Sequence, residues 1–211
     1  MKKIIALLLA ATMALSAAAC SDSSTDSSTD ASKNSSSESS TDSSSQAEES
    51  ESVSIADGVE LLTTVWDSYD EADKFPVMGG DTTEGNMNTE GPGQYGLEDT
   101  AALDSTLGFP AAAIDQIDSA ASLMHMMNAN TFTCGAYHVT DEADMDKLAD
   151  TIKENILNRQ WMCGFPDQLI IVKVDRYLVA FFGEKGITDT FKTKLMAAYP
   201  SAQIVSETPI A

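Results

Sequence analysis

Hydrophobic and polar positions divide the 211-residue chain into three unlike stretches. Residues 4–19 are a short apolar run, residues 21–52 are almost wholly polar, and from Val53 onward apolar residues recur with helix-like and strand-like periods. The spacing of Ile55, Val59, Leu62, Trp66 and Tyr69 predicts a helix over 55–70, with Ser54 and Asp57 as its capping pair. From Pro76 to Gly96 the period disappears, and six glycines punctuate a run of Asp, Thr, Glu and Asn. Such a segment reads as a long loop, and long loops inside compact domains are usually functional or mobile. A helix is expected over 98–107, stopped by Gly108 and Pro110, and then a short helical turn over 111–118.

The second half is more regular. Residues 120–127 and 131–140 read as strands joined at Asn128-Ala129-Asn130. A helix over 142–158 follows, with Asp141 as its cap and Met145, Leu148, Ala149, Ile152 and Ile156 on its buried face. Residues 169–174 and 177–183 are strands that turn at Asp175-Arg176. A helix over 189–198 follows, with Thr188 as cap and Phe191, Leu195, Ala198 and Tyr199 inward; an edge strand is expected over 202–206. The pattern is two strand–strand–helix units preceded by an N-terminal helix. The predicted class is α+β: an antiparallel sheet built from the two units, with the helices on one face.

Composition places this domain in the cell. Lys2 and Lys3 precede the apolar run, which is shorter than the roughly 20 residues of a spanning helix, and Ala17-Ala18-Ala19 leads to Cys20. This is the arrangement of a signal peptide over residues 1–19 with a lipobox cysteine behind it. Cys20 is the expected lipidation site. Of the 32 residues in 21–52, 16 are serine and 8 are acidic, which cannot bury enough apolar surface to offset chain entropy. This reads as a disordered spacer with a random-coil span on the order of 30 Å, ahead of a single domain over 53–211. The expected location is extracytoplasmic, on the outer face of a bacterial membrane, with the lipid as the only membrane attachment. The formal charge of −21, from 12 basic and 33 acidic residues, argues against nucleic acid as a partner, since binding it requires neutralised phosphates. An envelope protein or a small ligand stays open.

Once these elements are placed, the chain resembles uncharacterised small lipoproteins of Gram-positive bacteria that carry a C-terminal domain of unknown function. The resemblance rests on the strand Ala121 to Met127, on Tyr137-His138-Val139-Thr140-Asp141 leading into a charged helix, and on the Asp175-Arg176-Tyr177-Leu178-Val179 hairpin. It implies the location and the fold. That group has no established activity, so the resemblance implies no catalytic residue.

The chemistry that can be read from the residues is limited. Met124-His125-Met126-Met127, with His138 on the neighbouring strand, offers soft thioether and imidazole groups of the kind that bind Cu(I). Met124, Met126 and His138 are the candidate ligands; packing is the competing role for the methionines. Cys134 and Cys163 form a disulfide or sit as two small buried residues. Asp81, Glu84, Asn86, Asn88 and Glu90 lack the order of an EF-hand loop. No nucleophile elbow, zinc-binding helix or phosphate-binding loop is present, so no catalytic residue and no cofactor are assigned. Trp161, Met162, Phe165 and Pro166 make an aromatic connector that either meets a partner or covers the core. The expected function is a tethered binding or accessory module, with copper binding second and an uncharacterised hydrolase third.

Overall fold

A computed structural model describes residues 54–162 and 164–210; the signal run, Cys20, the Ser-rich spacer and Cys163 lie outside these described residues. In chain order the elements are α1 (Gly58–Asp67), β1 (Val77–Met78), β2 (Gly93–Tyr95), α2 (Thr100–Leu107), a 3₁₀ turn (Ala111–Gln116), β3 (Ile117–His125) and β4 (Phe132–Val139). These are followed by α3 (Met145–Leu157), β5 (Gln168–Val174), β6 (Tyr177–Gly183), α4 (Lys185–Ala198) and β7 (Gln203–Pro209). No helix among the described residues is long and apolar enough to cross a membrane.

The seven strands form one sheet in the order β1-β3-β4-β6-β5-β7, with β2 also paired to β3. Every pairing is antiparallel. The α+β class expected from the sequence is therefore the one observed. The β5–β6 turn falls at Asp175-Arg176 as read, and Asp175 takes a positive φ of 49°.

The helices differ from expectation in one respect: they divide between both faces of the sheet. Central strands β4, β5 and β6 are buried at nearly every position, so alternate side chains feed two separate cores. On one face Leu61, Leu62 and Val65 of α1 and Phe191 and Leu195 of α4 pack on Phe132, Cys134 and Phe181. On the other, Leu103 and Leu107 of α2 and Leu148, Ile152 and Ile156 of α3 pack on Tyr137, Ile171 and Phe182. The two strand–strand–helix units thus send α3 and α4 to opposite sides. Apolar residues on both faces of the central strands require this, because helices on one side alone would leave the other layer in water.

Three helix starts also move. Asp57, not Ser54, caps α1, its Oδ1 accepting the Glu60 N–H at 2.8 Å. Asp144, not Asp141, caps α3 through the N–H groups of Asp146 and Lys147. Helix α4 begins at Lys185, so Thr188 is a buried residue inside it, its hydroxyl donating to the carbonyls of Glu184 and Lys185. The cap for α4 comes from a distant residue: Asp167 Oδ2 accepts the Lys185 N–H at 2.8 Å.

Candidate functional site

The stretch read as one long loop is a folded device on the edge of the sheet. Strand β1 pairs Met78 with Met124 of β3, and β2 pairs Tyr95 with Ala120 and Gly93 with Ser122. Between them Gly79 and Asn88 exchange two backbone hydrogen bonds of 2.7 and 2.9 Å. Glycine is required at position 79, because a Cβ there would strike the backbones of Pro92, Gly93 and Ser122. The buried Ser122 hydroxyl accepts the Gly80 N–H at 2.9 Å.

Asp81 ties the loop together. Its Oδ1 accepts the Thr83 N–H and the Asn86 amide, each at 2.9 Å, and its Oδ2 accepts the Gly96 N–H at 2.7 Å. Burial opposes the charge on Asp81, but these donors outweigh it and hold its pKa below the usual carboxylate value. The Tyr95 hydroxyl donates to the Ala102 carbonyl at 3.3 Å and fastens the loop to α2. Asp99 caps α2 by accepting the Ala102 N–H at 2.9 Å.

Loop, sheet edge and α2 enclose an open cavity of about 420 Å³. Its floor is Met78, Met124 and Tyr95, its helix wall is Ala102 and Thr106, and its loop wall runs from Gly80 to Thr83 with Met87, Gly96, Glu98 and Asp99. Ala102 and Thr106 are small side chains on the helix wall, whereas Gly80 and Gly96 are glycines because a Cβ there would strike Asn86 or the Asp81 and Glu98 carboxylates. Burial raises the Tyr95 phenol pKa; the Thr106 hydroxyl opposes this and the charges of Asp81 and Asp99 add to it.

No family model, curated protein or solved structure matches the chain. The pocket has to be read from its own chemistry.

The residues singled out in the sequence are dispersed. Met124 is buried in the pocket floor, whereas Met126 lies beyond the end of β3 and is 43% exposed. His138 pairs with Ser119, well along the strands from Met124. Its ring packs against Tyr177 on the opposite face, and its Nδ1 lies 2.6 Å from Asp118 Oδ1. Met124, Met126 and His138 cannot share one ion, because the pleat puts Met124 and His138 on different faces. Three methionines do line one cavity, but they are Met78, Met87 and Met124.

Cys134 is buried in the α1/α4 core, and burial raises its thiol pKa; Cys163, the other half of the disulfide alternative, lies outside the described residues. The loop carboxylates Asp81, Glu84 and Glu90 form no cation-binding group. Among the described residues no group of three His, Cys, Asp or Glu is placed to hold a metal ion. The aromatic connector splits by residue: Trp161 packs edge-on against core Phe182 at 5.2 Å, whereas Met162 and Phe165 are exposed.

Met78, Met87, Glu98 and the α2 wall were absent from the sequence-derived site. The available signal was the glycine-punctuated loop itself. Nothing local shows that Met78 pairs with Met124, because that contact is a matter of strand register.

Proposed function

We propose that this chain is a membrane-tethered extracytoplasmic lipoprotein whose α+β domain is a binding module, with its ligand in the pocket between the 79–99 loop, β3 and α2. The tether is supported by Lys2, Lys3, the apolar run and Cys20. The binding role is carried by one observation, the open cavity of about 420 Å³ with an apolar floor and a polar rim. Small-molecule sites are typically concavities of roughly 300–1,000 Å³ with this division of surface. Asp81 has both oxygens occupied by donors from its own loop, which suits a structural anchor and not a proton-transfer group.

The test is methyl NMR on the full chain with labelled methionines, screened against neutral, cationic and anionic small molecules. Ligands in the pocket shift the Met78, Met87 and Met124 signals together. Shifts confined to the exposed Met126, Met127 and Met162 would place the site elsewhere. In parallel, Cys20→Ala should abolish lipidation by mass spectrometry and release the chain from membranes.

A second reading has a specific observation behind it. Three thioethers at one pocket are a soft donor set of the kind that selects Cu(I). It ranks second because the cavity is far larger than a three-coordinate ion fills.

A further inference from the structure

Taking the pocket as the binding site, we propose that its occupant is a small organic cation, an ammonium group carried on an apolar body. Among the described residues three carboxylates, Asp81, Glu98 and Asp99, border the cavity, and no Lys, Arg or His does. An anionic ligand would enter against that field and find no partner for its charge.

The carboxylates are not equivalent. Asp81 holds the loop and Asp99 caps α2. Among the described residues no hydrogen bond or ion pair reaches the Glu98 carboxylate. A Cβ built at Gly96 would lie 2.8 Å from Asp81 Oδ2 and 2.9 Å from Glu98 Oε2. Both oxygens therefore lie close against Gly96, where a side chain would strike them, and glycine there lets the two carboxylates approach each other at the border of the cavity. Glu98 is the group left to meet a ligand's charge, with Asp81 behind it.

The floor selects the body of the ligand. Thioethers are polarizable and adaptable, and an aromatic face attracts a cation within about 6 Å. Met78, Met124 and Tyr95 thus suit alkyl groups next to a positive nitrogen. The volume suits an organic molecule better than a bare ion, which would leave most of the cavity to water.

Choline and its uncharged isostere 3,3-dimethylbutan-1-ol separate charge from shape. In the methyl NMR experiment on the full chain, choline should shift the Met78, Met87 and Met124 signals, and the isostere should bind roughly tenfold more weakly or worse. Glu98→Gln should weaken choline by about tenfold at low salt and leave the isostere unchanged, and added salt should narrow the difference. Equal affinity for the isostere, or no effect of Glu98→Gln, would overturn the assignment. So would a silent choline titration in a pocket that answers to neutral or anionic compounds, or to Ag(I) as a stand-in for Cu(I); the pocket would then stand and the cation would fall. If no probe of any charge moves the three signals, the pocket itself is not the site.

Discussion

The two edges of the sheet solve the same problem in opposite ways. At one edge β7 pairs with β5 from Gln168 to Lys173, with one irregularity between Ile171 and Val172. At the other, the nine residues of β3 meet two fragments, β1 at Met124 and His125 and β2 from Ala120 to Ser122. Leu123 falls between them. A strand edge has to satisfy its backbone groups or expose them. β5 does so with a nearly continuous ladder to β7. The β3 edge does so with two short ladders, and the side chains of Ser122, Asp81 and Asn88 satisfy backbone groups of the loop between them, beside which the cavity lies. The candidate pocket lies where regular pairing is interrupted.

The edges should differ most in what they contribute to stability. Ile171 on β5 is fully buried, and Ile171→Ala should destabilise by about 2–5 kcal/mol. Met78 at the broken edge is only partly buried, and Met78→Ala should cost about 1 kcal/mol, since little cavity is added where one already exists. Urea denaturation of the full chain measures both. Equal losses would mean that the β1/β2 edge belongs to the folding core, and the comparison would fail.

The same contrast explains what could be read from the sequence. Strands β5 and β6 were legible because their apolar runs are continuous and a turn dipeptide separates them. Helices α1 and α3 were legible from their period and α2 from its Gly108 and Pro110 stop, with errors at the caps of α1 and α3, where two candidate capping residues lay three positions apart. The cap of α4 was not legible, because Asp167 lies 18 residues before the N–H it accepts. Pattern alone could not assign α3 and α4 to opposite faces, since an apolar run buried on both sides does not say which helix covers which side. The pocket was the least legible feature. Its loop announced itself through glycine, but its floor depends on the antiparallel register of β1 on β3, and its anchor depends on an Asp81–Gly96 bond that spans 15 residues.

A smaller effect examines how the broken edge is held. Removing the Ser122 hydroxyl leaves the Gly80 N–H without its acceptor in a buried place. Ser122→Ala should destabilise by about 1–2 kcal/mol. It should also change the Met87 methyl signal, because Gly80 begins the wall on which Met87 sits. Loss of stability with an unchanged Met87 environment would show that the loop is held by Asp81 alone.

The smallest effects should emerge in acid, where each edge has one carboxylate to lose. Asp189 of α4 accepts from Lys185 at 2.9 Å and from Gln168, at the start of β5, also at 2.9 Å. These bonds, Lys185 first, lower its pKa from 3.8 to about 2. A carboxylate with a depressed folded-state pKa contributes stability above its unfolded value, and the contribution disappears as pH falls through the folded value. Asp189 therefore supports the β5 edge above pH 3.8 and loses that role toward pH 2. Asp81 is lowered as well, so acid acts on the loop with the same sign. The consequences should differ. Protonating Asp189 weakens a helix–strand contact that a full ladder still supports, whereas protonating Asp81 weakens the acceptor on which Gly96, Thr83 and Asn86 converge. Asp81→Asn should therefore flatten the acid-induced change in the Met87 signal while leaving most of the acid limb of global unfolding in place. Asp189→Asn should do the reverse. If both variants affect the same transition, the two edges unfold as one unit, and the broken edge is as firmly built as the continuous one.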